Sequence, residues 1–243
     1  MLQGFGSMLL MLWEREQPRT LFVGFDTLTS PTYRHELLPG YQSGREFPPE
    51  LTSQLDRLPE WVEAFGFAFG KEAGYEADDF VAAAALQEEE ERHGHTFVVT
   101  SDRDLFQLAT DRTTLLMPKR GVSELDRVGP AEVRERYGVD PEQVPDFIAL
   151  RGDTADKIPG AKGIGAVRAA AILNAHGTLD AAIEDGVFDA QADQLRTYLR
   201  ITRLQYHAPV PPLPDAEPDF AAAAALAERW GVNAVARRLR EHL

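Results

Sequence analysis

The sequence predicts an α/β fold with parallel strands, followed by an all-helical part. Two short apolar runs, at 20–25 and 96–100, have the length and composition of buried strands, and aspartates Asp26 and Asp102 follow their apolar cores. Helical patterns lie between the two runs, and such alternation is typical of parallel strands joined by helical crossovers. Ligands of such sheets gather at the carboxyl ends of the strands. The edge that carries the two aspartates is therefore the first candidate site.

Composition excludes several classes of protein. The chain has 243 residues, no cysteine and a net charge of -14, so disulfide scaffolds and cysteine-ligated metal sites are excluded. A hydrophobic content of 44% and a charged content of 26% are near globular averages and predict a buried core. The acidity argues, on charge alone, against a nucleic-acid partner. The lack of cysteine suits a reducing compartment, and we expect a cytoplasmic location.

The first half of the chain contains the predicted strands and helices of the α/β part. The apolar run at 8–13 predicts a buried amphipathic helix, because it is too short to cross a bilayer and charged residues follow it. We expect no contact with a membrane. A polar connection covers 27–49, and helices are predicted at 55–65 and 79–93. The acidic run at 88–91 is interpreted as a solvated face of the last helix.

Proline and glycine divide the second half of the chain. Few strand-like runs follow Pro118, so we place a boundary near residue 123, with an α/β domain at 1–123 and a helical domain at 124–243. The proline-rich segment at 208–218 predicts an extended strap, because proline interrupts helices. A last helix is predicted at 220–243.

Carboxylates concentrate at the predicted ends of strands and helices. The motif Gly-Tyr-Glu-Ala-Asp-Asp at 74–79 opens a helix, and helix capping alone would explain its acids. Ser-Asp-Arg-Asp at 101–104 follows a strand, and two aspartates three residues apart end a helical stretch near 153. The candidate site consists of eight acids: Asp26, Glu76, Asp78, Asp79, Asp102, Asp104, Asp153 and Asp156.

Such a set of acids predicts a centre for divalent cations. Carboxylates this close would repel one another and raise one another's pKa unless cations neutralised them. Oxygen ligands without histidine or cysteine favour Mg²⁺ or Mn²⁺ over zinc. Two such ions about 4 Å apart can activate a water and stabilise the leaving oxygen in phosphodiester cleavage. The acids therefore predict hydrolysis of a phosphate ester.

A basic window follows the last of these acids. Residues 157–179 contain no acid, and Pro-Gly-x-x-Gly-x-Gly at 159–165 precedes an alanine-rich helix. Glycines beside a helix N-terminus let backbone N–H groups approach a phosphate, although a tight interhelical turn also needs glycine. The candidate DNA-binding residues are Lys157, Gly160, Lys162, Gly163, Gly165 and Arg168.

The connection at 27–49 supplies a second candidate contact. It carries Arg34, Tyr41 and Arg45, and arginine and tyrosine in a flexible connection can clamp or stack on a nucleic-acid strand. Ordinary surface-loop composition explains the same residues equally well.

Together the motifs resemble the 5′ nucleases, a family that includes the N-terminal domain of bacterial DNA polymerase I and the flap endonucleases. The resemblance rests on Phe25-Asp26, on Tyr-Arg-His-Glu at 33–36, on Gly40-Tyr41 with Gly44-Arg45, and on the segments 74–79, 100–105 and 152–165. It implies a PIN-like parallel sheet and a two-metal 5′-3′ exonuclease and structure-specific endonuclease, acting on DNA ends, nicks or flaps. It also implies a helical arch at 27–49 with Arg34, Tyr41 and Arg45 in catalytic roles. A helix-hairpin-helix around 159–165 would hold duplex phosphates, often with a monovalent cation such as K⁺.

The chain departs from the family pattern in two places. The family begins with a central strand that ends in Asp-Gly, and this chain starts beyond that point, so we expect the first strand and one carboxylate to be missing. Either the reported start lies downstream of the true one, or the chain is a destabilised remnant, because removing a central strand exposes its neighbours. The second departure is Gln42, at a position where the family carries a lysine that helps polarise the scissile phosphate. Arg34 and Arg45 are the available substitutes.

The leading hypothesis is a monomeric, Mg²⁺-dependent 5′-3′ exonuclease and flap endonuclease. A structure-specific DNA-binding module with impaired or absent catalysis is the alternative that the missing strand and Gln42 permit. A phosphohydrolase of the aspartyl-phosphate type is disfavoured, because such enzymes need a second aspartate where Leu28 stands.

Overall fold

The computed structural model of the chain describes residues 1–28, 30–44, 47–119 and 123–243. The strands of these ranges are β1 (Phe22–Gly24), β2 (Ala68–Gly70), β3 (Thr96–Val99), β4 (Thr113–Pro118) and β5 (Leu125–Val128). The helices are α1 (Leu2–Glu16), α2 (Tyr33–Leu37), α3 (Pro49–Leu55), α4 (Leu58–Ala64), α5 (Ala77–Gln87), α6 (Pro130–Tyr137), α7 (Val144–Arg151), α8 (Ala166–His176), α9 (Leu179–Glu184), α10 (Ala192–Thr202), α11 (Phe220–Arg229) and α12 (Asn233–Arg240). Short 3-10 turns cover Asp104–Leu108, Pro141–Gln143 and Asp189–Gln191, and a π-helical turn covers Glu88–Arg92.

The strands of the described ranges form two small sheets. β1 pairs in parallel with β2, with Val23 opposite Phe69. β3 pairs in parallel with β4, with Val98 opposite Leu115, and β4 pairs with β5 in the antiparallel direction. Helices α2, α3 and α4 connect β1 to β2, and α5 packs against both β1 and β3. The predicted α/β class with parallel strands is confirmed.

Three strands, β2, β4 and β5, were not predicted from the sequence. β2 has only three residues, and two of them are alanine and glycine, so no strand-like run stands out there. β5 is a short strand with the polar pair Asp126 and Arg127 in its middle, and its pairing with β4 holds it in the sheet. β5 also lies after residue 123, in the part that the sequence predicted as helical. The division into domains at that residue stays a prediction.

The larger hydrophobic core surrounds α7. All residues of this helix from Val144 to Leu150 are buried, α7 packs against α8 and α10, and Phe147 and Leu199 belong to the same core. Helices α6 to α10 follow β5 without a further strand in the described residues, which confirms the predicted helical part. This core places the loop after α7 beside the sheet.

A second core joins the two ends of the chain. α1 and α4 pack against α11 and α12, and the contact includes Leu10, Trp61 and Leu239. The burial of Leu10 is the arrangement that the amphipathic pattern of α1 predicted. The last helix was predicted as one piece, but it breaks around Gly231, whose φ is +71°. In the described part of the chain, no helix is long and apolar enough to cross a membrane.

The proline-rich strap is attached to the rest of the molecule by Arg19. The segment 208–218 contains no helix, as predicted. Arg19 donates a hydrogen bond of 2.6 Å to the carbonyl oxygen of Leu213 and pairs with Asp215 at 3.0 Å. The strap therefore lies against the N-terminal half of the chain.

The acidic run at 88–91 is only partly solvated. Glu88 forms an ion pair with Arg19, and Glu89 accepts a hydrogen bond of 2.7 Å from Thr113. The prediction of a solvated face is wrong for these two residues, because the π-helical turn directs them toward the strap and β4.

Candidate functional site

A cleft opens where the start of α5, the turn after β3 and the loop after α7 meet. Five of the eight predicted acids line it: Glu76, Asp78, Asp102, Asp104 and Asp156. Arg34, Tyr41 and Gln42, from the connection after β1, line the same cleft. The fold thus brings together acids that are up to 80 residues apart in the sequence.

Asp78 lies in the first turn of α5 and faces other acids. Burial raises the pKa of Asp78 well above its ordinary value, and the charges of Asp102, Asp26 and Glu76 raise it further. Burial is also the main cause that raises the pKa of Glu76. Carboxylates with such raised pKa values mark a place where a positive charge would be strongly bound.

Asp104 begins the 3-10 turn after β3, as Asp78 lies in the first turn of α5. Burial, followed by the charges of Asp102, Asp156 and Asp153, raises the pKa of Asp104 to about 8. The charge of Asp102 also raises the pKa of Asp78, so Asp102 acts on acids of both α5 and the turn after β3. A divalent cation relieves this kind of repulsion, and an all-oxygen donor set fits Mg²⁺ or Mn²⁺.

Two of the predicted acids accept hydrogen bonds from backbone N–H groups. Asp26 accepts from the backbone N–H of Ala77 at 2.8 Å, and Asp102 accepts from that of Asp104 at 2.9 Å. Among residues 1–28, 30–44, 47–119 and 123–243, no three acidic or histidine side chains are grouped closely enough to hold one ion. The residue types and raised pKa values fit a divalent centre, and which oxygens would bind each ion stays a prediction.

Asp79 and Arg34 have a structural role that the sequence did not predict. Both are buried, and the Arg34 guanidinium donates to the two carboxylate oxygens of Asp79 at 2.7 and 2.8 Å. Asp79 also accepts from the backbone N–H groups of Glu76 and Gln205. Both of its oxygens are therefore occupied, and its side chain does not line the cleft. This geometry does not fit the metal-binding role predicted for Asp79.

Arg34 joins three elements as well as bordering the cleft. It belongs to α2, pairs with Asp79 of α5, and donates from Nε to the carbonyl oxygen of Ile201 in α10 at 3.0 Å. Its guanidinium is committed to these partners, so the predicted catalytic role stays a prediction. The observed contacts attach the connection after β1 to the helical part.

A tight loop after α7 positions Asp153. Asp153 and Ile158 exchange two backbone hydrogen bonds of 2.8 and 2.7 Å. Gly152 and Gly160, with φ of +81° and +74°, approach so closely that a Cβ on Gly160 would lie 2.5 Å from the nitrogen of Gly152. Gly160 is buried, so packing replaces the DNA contact predicted for it. Asp153 lies outside the cleft lining, although its charge raises the pKa of Asp104.

The N-terminus of α8 is exposed and free of acids. Gly165 precedes the helix, and a Cβ on Gly163 or Gly165 would meet no heavy atom within 4 Å. Lys162 and Arg168 are exposed on the same turn. Exposed backbone N–H groups, the helix dipole and two cations suit a phosphate group. These four predicted residues form what we call the α8 surface: Lys162, Gly163, Gly165 and Arg168.

The other predicted cations and Tyr41 lie elsewhere. Lys157 donates from Nζ to Ser43 Oγ at 3.1 Å, so it contacts the connection after β1 and not the α8 surface. Arg45 lies outside the described residues. Tyr41 is buried, and burial, followed by the charge of Glu76, raises its pKa. Its hydroxyl is therefore a hydrogen-bond donor at neutral pH, and it donates to Glu76 at 3.2 Å.

Two polar side chains of the site were not among the predicted site residues. Thr32 is buried and donates from Oγ1 to Glu76 at 3.0 Å. Gln42 lines the cleft and donates to Tyr41 and to Asp156, each at 3.0 Å. Thr32 precedes a helix and would be taken for a helix cap, and Gln42 was notable in the sequence only as a departure from the family pattern.

Two protein-family models match the chain and identify its family. Residues 1–138 match the 5′-3′ exonuclease N-terminal resolvase-like domain, and residues 139–212 match the 5′-3′ exonuclease C-terminal SAM fold. The chain belongs to the 5′-3′ exonuclease family. The resemblance inferred from the motifs is confirmed, and so are the resolvase-like sheet and the helical part after it.

Individual relatives agree with the family. The chain is 33% identical over 282 residues to a 5′-3′ exonuclease of Mycobacterium tuberculosis, an alignment that covers 99% of this chain and 87% of that protein. It is 40% identical over 199 residues to the DNA polymerase I of Mycobacterium leprae, which covers 81% of this chain and 22% of that protein. The chain thus spans about a fifth of the length of the DNA polymerase I relatives that it matches.

Solved structures share the fold of this chain. A bacteriophage T5 flap endonuclease in a complex with DNA and metal ions superposes with a TM-score of 0.70 at 21% identity, covering 97% of this chain and 88% of that one. The catalytic core of Rad2 in complex with DNA substrate has a TM-score of 0.61 at 14% identity, covering 98% and 83%. At sequence identities this low, the likeness shows a shared fold and nothing more.

Proposed function

We propose that this chain hydrolyses DNA phosphodiester bonds as a Mg²⁺-dependent 5′-3′ exonuclease and flap endonuclease. A nuclease acting on DNA follows from the family, and the proposal adds the metal and the shape of the substrate. The cleft carries the proposal, because five carboxylates from three separate segments line it and two of them have strongly raised pKa values. The metal ions and DNA bound to the T5 flap endonuclease support the same chemistry here.

The acids of the cleft would hold two divalent cations, Mg²⁺ or Mn²⁺. We assign to them Glu76, Asp78, Asp102, Asp104 and Asp156, with Asp102 between the two groups of acids. When bound, two such ions lower the pKa of a water and neutralise the leaving oxygen. The protein prepares the site: the Tyr41 hydroxyl and Thr32 orient Glu76 through hydrogen bonds. Asp26 and Asp153 add negative charge just outside the lining.

The α8 surface would bind the phosphates of duplex DNA beside the cleft. Its support is the exposed N-terminus of α8, which has no acid in its first turn, together with the cations of Lys162 and Arg168. We extend the proposal to a K⁺ ion in the hairpin at 159–165. Lower DNA affinity in a sodium buffer or a tetramethylammonium buffer than in a potassium buffer of equal ionic strength would support that ion.

Cleavage of a 5′-labelled flap substrate tests the catalytic proposal. We expect the chain to release labelled product with Mg²⁺ and to release none with EDTA. Asp104→Ala should lower the rate by about 100-fold or more, because it removes a ligand of the proposed centre. Asp111→Ala, a change of an exposed acid in the turn before β4, is the matched control and should cut at the parent rate. Equal rates for the parent and Asp104→Ala would refute the assignment.

A DNA-binding module with impaired catalysis is the second candidate. Among the described residues that line the cleft, Arg34 is the positively charged side chain. Its guanidinium is engaged with Asp79, so it is not available to a phosphate. This candidate predicts that flap DNA binds but is not cut with Mg²⁺ or Mn²⁺. A binding measurement and a cleavage gel on the same flap distinguish the two candidates. A monomeric state and a cytoplasmic location stay predictions from the sequence.

A further inference from the structure

The amide of Gln42 links two sides of the cleft. Its Nε2 donates to the hydroxyl of Tyr41 and to Oδ1 of Asp156, both at 3.0 Å. The Tyr41 hydroxyl in turn donates to Oε2 of Glu76 at 3.2 Å. A continuous chain of hydrogen bonds therefore runs from Glu76, at the start of α5, to Asp156, in the loop after α7.

The backbone of Gln42 is fixed to the same partner. Its N–H donates to the carbonyl oxygen of Asp156 at 3.3 Å, and its φ of +47° lies in the left-handed region. A residue other than glycine holds that conformation when the surrounding contacts impose it. The next residue, Ser43, accepts a hydrogen bond from Lys157 at 3.1 Å. Among the described residues, three hydrogen bonds thus attach the connection after β1 to the loop after α7.

A neutral amide suits this position between acids. Both hydrogens of the Gln42 side-chain amide are used by Tyr41 and Asp156, so no donor is left over. The amide can orient an acid through a hydrogen bond while leaving the charge of that acid for a cation.

We propose that Gln42 is a positioning residue that sets the placement of Asp156 relative to Glu76 and thereby the affinity of the cleft for its second divalent cation. The inference rests on the proposed function. It concerns a residue of the chain that neither touches the reacting atoms nor carries a charge. The side-chain amide therefore affects metal affinity through its hydrogen bonds to both Tyr41 and Asp156.

Binding of Mn²⁺ to the full chain, followed by the electron paramagnetic resonance signal of the free ion, tests the inference without DNA or turnover. Gln42→Met keeps the length of the side chain and removes both hydrogen bonds. We expect it to raise the Kd of the weaker Mn²⁺ about tenfold, equivalent to about 1.4 kcal/mol. Gln54→Met is the matched control, because Gln54 is a partly exposed glutamine of α3 that donates one hydrogen bond to a backbone carbonyl. Its Mn²⁺ affinity should equal that of the parent.

A double-mutant cycle separates the proposed chain of hydrogen bonds from a merely structural role. Tyr41→Phe removes the middle hydroxyl and should raise the same Kd. The double variant with Gln42→Met should be no weaker than Gln42→Met alone, because both changes break one chain. Fully additive effects would overturn the inference. If Gln42→Met does not fold, Gln42→Asn takes its place, because the shorter amide cannot reach both partners and should give the same loss.

The outcomes distinguish this inference from the proposed function. A parent protein that binds Mn²⁺ and cuts a flap, with Gln42→Met and Gln42→Asn binding Mn²⁺ equally well, overturns the role of Gln42 and leaves the proposed function intact. A parent protein that neither binds Mn²⁺ nor cuts a flap refutes the proposed function and the inference with it.

Discussion

Replacing Asp104 with asparagine should stabilise the metal-free protein at neutral and alkaline pH. The pKa of Asp104 rises from its ordinary value of 3.8 to about 8 in the folded protein. Between these two values the folded state keeps a proton that the unfolded state has released, so stability falls as the pH rises. Below pH 3.8 the carboxyl group is protonated in both the folded and the unfolded state, so it no longer makes stability depend on pH. An asparagine side chain does not titrate, so the Asp104→Asn variant escapes this loss.

The size of the effect follows from the pKa difference. Each pH unit inside the window corresponds to about 1.4 kcal/mol, so the interval from about pH 5 to about pH 8 corresponds to about 4 kcal/mol in full. Two effects make the measured difference smaller than this: water at the cleft screens the charges, and the neighbouring acids share the proton with Asp104. We therefore expect Asp104→Asn to gain about 2 kcal/mol over the parent between about pH 5 and about pH 8.

Urea unfolding in EDTA at several pH values measures this gain. Asp111→Asn, on an exposed turn outside the cleft, serves as the control and should follow the parent at every pH. Added Mg²⁺ should stabilise the parent more than Asp104→Asn, because a cation that binds only the folded state raises its stability. Parallel pH profiles of the parent and Asp104→Asn in EDTA would refute the reasoning.

Three further predictions concern residues around the cleft. Asp79→Asn should lower the free energy of unfolding by about 3 kcal/mol, because buried Arg34 would keep only its longer ion pair of 3.6 Å with Glu76; a loss below about 1 kcal/mol in urea unfolding would contradict this. Gly160→Ala should destabilise the fold by about 2 kcal/mol or more, whereas Gly165→Ala should leave the melting temperature unchanged and weaken binding to duplex DNA, since its methyl group would face the phosphate. Arg168→Ala should reduce the salt dependence of DNA affinity by about one unit of slope in a log–log plot, measured by fluorescence anisotropy; an unchanged slope would remove Arg168 from the interface.

The sequence indicated the class of fold because two of its strands lie in longer apolar runs that carry their own signal. β1 and β3 are continuous runs that stop near aspartates, and both were predicted. β2 and β5 carry no such signal, since they are held by pairing with β1 and β4 and not by their own side chains. A short strand of this kind depends on a partner that is distant in the sequence, and no local pattern reveals it.

The candidate site was predicted as a set of residues, but not as a geometry. Asp78 and Asp79 are neighbours in one motif, yet successive residues of a helix point about 100° apart. Asp78 therefore faces the cleft while Asp79 faces Arg34, 45 residues away in the sequence. Asp79 caps the start of α5, as the capping explanation predicts, and Asp78 is the residue of that motif to which the metal-binding proposal applies. The contacts of Arg34 and of the Gln205 backbone with Asp79 decide which residue faces the cleft, and both partners are distant in the sequence.

The net charge of -14 and a DNA substrate are compatible because the two kinds of charge occupy different surfaces. The α8 surface presents N–H groups and cations to solvent, while the cleft presents carboxylates that repel a phosphate until cations neutralise them. Monovalent salt weakens contacts at the first surface by competing for phosphates. Divalent ions act in the opposite direction at the second surface, by removing the repulsion. We therefore expect a flap that lies across both surfaces to bind most tightly at low monovalent salt with divalent ions present, and we expect removal of those ions to lower its affinity even where no bond is cut.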